Sequence, residues 1–191
     1  DDVTADDFRV YAGALLEPHV SLDCVAWSPC VPGEDTLRGS TCAGLRIVHV
    51  EPAGCGGELV GSDPIADPSF ADALWRAVAR GTPQLTGPAA VVDGEGYSRA
   101  VVVVMPVYRR GLPVATEAER TAAIAGAVQG SILVEALIGD ALMMLEPTGQ
   151  RLELYDVTDG RVLLRDHTPR RPVSALPAWR PMKPSPRRAL G

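Results

Sequence analysis

Four consecutive valines, Val101 to Val104, lie inside an almost wholly apolar run from Ala100 to Tyr108. β-Branched side chains are stiff in a helix and pack well on a pleated surface. A run apolar at every position, instead of every second one, reads as a central strand. It is far too short to be a membrane span, which needs about 20 apolar residues, and no other run in the chain reaches that length. The 191 residues are 46% apolar but only 5% aromatic, so the core around this strand is built from Val, Leu, Ile and Ala. That length suits one domain, or two small lobes sharing one chain.

The clearest helix precedes the valine run. Asp67 can cap it, Pro68 suits its first position, and Gly81 can close it in a left-handed conformation. Between them Phe70, Leu74, Trp75 and Val78 line one face. A shorter helix follows Thr4 and Asp7, with Phe8, Tyr11, Leu15 and Leu16 at helical spacing and an end near Pro18. Thr116 with Glu119 forms a capping box for a third, near 116–122. Val134 to Leu145 reads as a fourth.

Strands are expected at Val20–Trp27, with Val20, Leu22, Cys24 and Ala26 on one face, and at Leu45–Val50. Pro29 to Thr41 is turn-rich. Leu85 to Val92 reads as extended, Asp93-Gly94-Glu95-Gly96 as a turn, and Ile124 to Leu133 as a strand. Thr158-Asp159-Gly160 joins Leu152–Val157 to Arg161–Arg165 as a hairpin. From Thr168 onward the chain is rich in Pro and Arg and reads as irregular. Antiparallel strands with helices at their edges give an α+β fold.

The net charge of −6 argues against nucleic acid, whose phosphates demand a basic footprint. No signal peptide or targeting motif is recognisable. Cys24, Cys30, Cys42 and Cys55 all fall in the first third. An even, clustered set suggests disulfides in an oxidising compartment, with Cys42–Cys55 or Cys30–Cys42 favoured among three possible connectivities. Cys24 also reads as a buried strand residue acting as a small hydrophobe. A zinc site would need CxxC or paired His spacing, which is missing; no metal and no cofactor is expected.

The search for catalytic constellations comes back empty. His19, His49 and His167 are scattered, and there is no GxSxG elbow, HExxH helix or P-loop. Gly54-Cys55-Gly56-Gly57 is no dinucleotide fingerprint, since no helix follows at once. It reads as a turn.

An ordered set of short motifs runs from Gly61 to Thr158. Gly61-Ser62-Asp63 precedes the capped helix, which ends in Arg80-Gly81. Gln84-Leu85-Thr86 and Pro88 follow, then the valine strand into Pro106-Val107-Tyr108. Gly111-Leu112-Pro113, Ala115-Thr116-Glu117, Glu119-Arg120, Gly126 and Gly130 continue the series, and Tyr155-Asp156-Val157-Thr158 ends it. Individually weak, in this order they resemble the CHASE domains, the family that includes the sensor region of plant cytokinin-receptor histidine kinases. The likeness spans about Phe8 to Arg165. It fails between Cys30 and Asp63, where a Gly- and Cys-rich insertion replaces the receptors' sequence.

The resemblance implies two PAS-like lobes with antiparallel sheets, a distal one over about 18–145 and a proximal one over about 146–180. It also implies a long N-terminal stalk helix, of which this chain carries at most the end. By the same likeness the chain is a non-catalytic, extracytoplasmic sensor domain of a membrane-anchored receptor with a cytoplasmic kinase or cyclase. The receptor is expected to pair as a homodimer through the stalk. An unidentified small molecule is expected in the distal lobe, near Asp63, Leu85, Thr86 and Tyr108. Read from the residues alone, Asp63 is equally a turn or cap residue, Thr86 can bond its own backbone, and Tyr108 is core with its hydroxyl near a pocket. The alternative is a dimerisation or protein-interaction module with no small ligand. The basic tail, including Arg170, Arg171 and Lys183, is an odd lead-in to a span on the outer face; it reads instead as domain structure, with Trp179 packed on the C-terminal lobe.

Overall fold

The valine run lies next to the middle of an antiparallel sheet. The computed structural model describes residues 3–19, 21–33, 36–93, 96–144, 152–157 and 162–167. In chain order the elements are α1 (Ala5–Leu16), β1 (Leu22–Val31), β2 (Gly44–Leu45), β3 (His49–Glu51), α2 (Pro68–Arg80), β4 (Gln84–Leu85), β5 (Ala89–Asp93) and β6 (Gly96–Tyr108). Then come α3 (Glu117–Ala123), β7 (Ile124–Leu133), α4 (Val134–Met144), β8 (Leu152–Asp156) and β9 (Val162–His167). The fold is α+β with an open antiparallel sheet and few helices.

β7 is the central lane, flanked by β1 and β6. Each outer lane is broken in two: β2 and β3 both pair with β1, and β4 and β5 both pair with β6. Register places Cys24, Ser131 and Val102 in one row across the sheet, and Ala26, Gln129 and Val104 in the next. Because side chains alternate along a strand, both rows face the same side.

That side is covered by α2. Its capping signals act as expected: Asp67 Oδ1 accepts from the Ser69 amide at 2.8 Å, and Gly81 sits at φ 69°. Phe70, Leu74, Trp75 and Val78 pack with Val104, Ile124 and Ala127. α1 covers the other side, where Phe8 and Ala12 meet Val25 and Trp27. Thr4 caps it by accepting from the Asp7 amide at 3.2 Å.

Gly126 of β7 permits this two-sided packing. A Cβ there would lie 2.5 Å from both the Ser28 carbonyl oxygen and the Trp27 ring. Arg120 joins α3 to α2. Its Nε donates to Val78 O at 2.6 Å, and Nη1 donates to Val114 O at 3.2 Å and to Ala115 O at 2.9 Å. A fourth bond runs from Nη2 to Ala79 O. The guanidinium thus satisfies carbonyls left open at the C-terminus of α2.

Several expectations are corrected. Leu22 does not share the face of Cys24 and Ala26. A register shift between Leu22 and Cys24 rotates it to the α1 side, where it packs with the Val25 and Trp27 cluster. β1 also runs on through Pro29 to Val31, inside the stretch read as turn-rich. The strand expected at 45–50 is broken, because Ile47 exchanges hydrogen bonds with Gly61 and Ser62 and not with β1. Of the two favoured disulfides Cys30–Cys42 forms and Cys42–Cys55 does not; Cys55 instead bonds Cys24, so Cys24 is no free hydrophobe. Their Cα separations of 5.2 and 5.9 Å are within the range a disulfide spans. Pairing of β2 with β1 sets Cys42 beside Cys30, which spacing alone does not reveal. Val20, the Gly94-Glu95 turn tip, Leu145, the Thr158-Asp159-Gly160 turn, Arg161 and the tail beyond His167 lie outside the described residues.

Candidate ligand site

A cavity of about 560 Å³ opens beside α2 on its side of the sheet. Its floor is Cys24 and Ala26 of β1, Val102 of β6, and Gln129 and Ser131 of β7. The front wall is the Pro52–Leu59 loop, two 3-10 turns rich in glycine. Hydrogen bonds inside that loop are local: Cys55 to Pro52, Leu59 to Gly56 and Val60 to Gly57. The Cys24–Cys55 disulfide fastens it to β1.

The lining is mixed. Val50, Leu59, Val102 and Leu133 supply apolar surface, and Gln129, Ser131, Asp23 and Glu58 supply polar groups. Gln129 Oε1 is shielded from solvent and has no hydrogen-bond partner. A buried acceptor without a donor costs roughly 1–3 kcal/mol. Asp23 and Glu58 are exposed at the mouth. Volume and lining suit a small organic molecule. Among the described residues no group of three or more His, Cys, Asp or Glu could hold a metal ion.

A second cavity, of about 390 Å³, lies on the α1 side between Leu15, Leu22, Val103, Met105 and Ile132. Its lining is almost entirely apolar.

None of the four residues expected at the site lines either cavity. Asp63 is exposed, and its Oδ1 accepts from the Ile65 amide at 2.9 Å, capping a 3-10 turn. Leu85 is 52% exposed on the opposite outer lane, and its carbonyl accepts from Arg76 at 2.8 Å. Thr86 is buried. Its hydroxyl accepts from the Val102 amide at 3.0 Å and donates to Gly87 O at 2.8 Å, bridging the gap between β4 and β5. Tyr108 ends β6 with its hydroxyl buried and unpartnered. Burial pushes its pKa up, while the Arg120 charge pulls in the opposite direction. Only Leu85 and Thr86 are brought together.

Gln129 and Ser131, outside the expected site, carry a sequence signal of their own. They are two polar residues at alternate positions, pointing to one face of an otherwise apolar central strand. The cavity wall at Cys55 and Glu58 had no such signal, since it falls in the Gly-rich insertion.

A sequence model of the CHASE domain matches residues 1–163. No curated protein matches the chain.

Proposed function

The chain belongs to the CHASE domain family, extracytoplasmic sensor domains of signalling receptors and not catalytic modules, and from that premise we propose that it binds a small organic molecule in the cavity floored by Gln129 and Ser131. The observation that carries this reading is the unpartnered Gln129 Oε1 in a ligand-sized, mixed-polarity cavity. Empty cavities are apolar, whereas one lined in part by polar groups holds water or a ligand.

Counting each broken outer lane once, the sheet runs β2/β3, β1, β7, β6, β4/β5. That succession supports a PAS-like distal lobe over about 18–145, with the β8–β9 hairpin beginning a proximal lobe over about 146–180. Arg99 reaches that hairpin, donating to Leu163 O at 2.7 Å. A ligand shifts such a receptor only by binding one of its states more tightly. Here the loop from Pro52 to Leu59 and the central strand are the parts it would draw together. The parent protein is then a membrane-anchored homodimer carrying a cytoplasmic kinase or cyclase. No helix among the described residues is long and apolar enough to cross a membrane.

A screen of soluble metabolites by thermal shift tests the reading, with hits titrated on Gln129→Leu and Asp63→Ala. Loss of binding in Gln129→Leu with Asp63→Ala unchanged supports the cavity. The reverse pattern moves the ligand to Asp63, the position implied by the family resemblance. The second reading, a dimerisation module without a ligand, is favoured by Val10 and Tyr11 of α1, 76% and 45% exposed. A dimer in sedimentation that no metabolite stabilises would select it.

A further inference from the structure

We propose that the occupant of the Gln129 cavity is a cationic, donor-bearing molecule, such as a protonated amine or amidine on a compact, partly apolar body, and not a carboxylate or phosphate. The proposal rests on the small-molecule reading above and specifies its chemistry.

The polar lining is rich in acceptors. Gln129 Oε1 awaits a donor, and Asp23 and Glu58 place two carboxylates at the mouth. Neither carboxylate is in an ion pair among the described residues. No Arg, Lys or His lines the cavity. An anion would therefore enter against two like charges, with no guanidinium to grip it. In the loop the amides of Cys55 and Leu59 are spent on its own turns. The net charge of −6 adds a field that draws cations toward the domain.

Each wall has its own task in this arrangement. Gln129 Oε1 accepts from the ligand's N–H at the sheet. Asp23, on β1, and Glu58, on the loop, supply the carboxylates that meet the positive charge. Val50, Leu59, Val102 and Leu133 contact the apolar body. A cation bridging Asp23 and Glu58 would also hold the loop against the sheet, which couples occupancy to loop position.

The test uses a metabolite library containing equal numbers of cations, neutral compounds and anions at neutral pH, screened by thermal shift on the disulfide-intact chain. Hits are titrated calorimetrically on the wild type, on Gln129→Leu, and on the exposed double variant Asp23→Asn/Glu58→Gln. The expected hits are cations. Their affinity falls about ten-fold or more in Gln129→Leu, as for loss of a charge-assisted hydrogen bond. It falls about two- to five-fold per carboxylate in the double variant, with the loss shrinking at high salt. Should Gln129→Leu fail to fold, the double variant alone decides. Anionic hits that weaken in Gln129→Leu would overturn the ligand class while leaving the cavity in place. Cations that bind all variants equally would overturn the site. An absence of hits of any charge would overturn the small-molecule reading and this proposal with it.

Discussion

Replacing Arg120 with alanine removes four hydrogen bonds at once, two to the last turn of α2 and two to the loop before α3. The pairs are unequal. The bonds to Val78 O and Ala79 O are partly buried, whereas those to Val114 O and Ala115 O are exposed, where water replaces them. A hydrogen bond to a charged group is worth about 1.5 kcal/mol at the low end of its range. Counting the inner pair alone gives a loss of about 3 kcal/mol, a large share of the roughly 5–15 kcal/mol that holds a domain together. For a chain of this size that is a melting-temperature drop of about 6–12 °C. Urea unfolding is the assay, since urea does not screen charge; the midpoint should fall with the slope unchanged. Arg120→Lys keeps the charge but concentrates its donors on one nitrogen, which cannot serve both segments. It should recover no more than about half the loss. A loss below about 1 kcal/mol in Arg120→Ala, or a lysine variant as stable as the wild type, would refute the staple.

The disulfides come next. Closing loops with sequence separations of 31 and 12 restricts the unfolded chain by about 4 and about 3 kcal/mol. Cys24→Ser/Cys55→Ser should therefore cost more in urea than Cys30→Ser/Cys42→Ser, and it alone should also abolish metabolite binding by releasing the cavity wall. Tyr108→Phe removes a buried hydroxyl that has no partner, so stability at neutral pH should be unchanged or slightly higher. Because the folded pKa of Tyr108 is raised above 10.0, its protonated form is favoured in the fold. That contribution is complete below pH 10.0 and is lost as pH rises through the folded value. Urea midpoints of wild type and Tyr108→Phe across that alkaline window should show the wild type falling more steeply. Gly126→Ala forces a Cβ into backbone and the Trp27 ring and should cost about 2 kcal/mol or more. Gly13→Ala, in α1 with open space around the new carbon, should stabilise by about 0.5–1 kcal/mol. Equal urea midpoints for the two glycine variants would contradict the packing described for β7. Glu119 is held below the usual carboxylate range chiefly by its hydrogen bond with the Thr116 backbone. Its contribution is present above the ordinary value of 4.5 and is lost as pH falls through the lowered one; Glu119→Gln should flatten that acid limb in urea titrations.

Local chemistry was legible wherever an element carries its own boundaries. α2 follows from Asp67, Pro68 and Gly81, and α3 from the Thr116–Glu119 box, because caps act within one turn of chain. The valine run was readable as a strand because every residue in it favours a pleated surface. The ordered motifs from Gly61 onward carried the family for the same reason: they are short-range punctuation kept in register by turns and caps.

What the chain alone could not reveal depends on pairing between distant segments. The bulge at Leu22 reverses a face, yet it exists only because β7 lies alongside β1. Cys24 finds Cys55 because β3 folds back on β1 and carries the loop over the sheet. Asp63 had two readings in the sequence, cap and ligand anchor, and the fold engages its carboxylate as a cap. The cavity arises from what α2 leaves uncovered on a face shared by three strands, so no single stretch encodes it. Sequence by itself determined the α+β class, the capped helices and the family. Tertiary structure decided the disulfides, the faces and the Gln129 cavity, because side-chain direction in a sheet follows register, and register is a property of neighbouring strands.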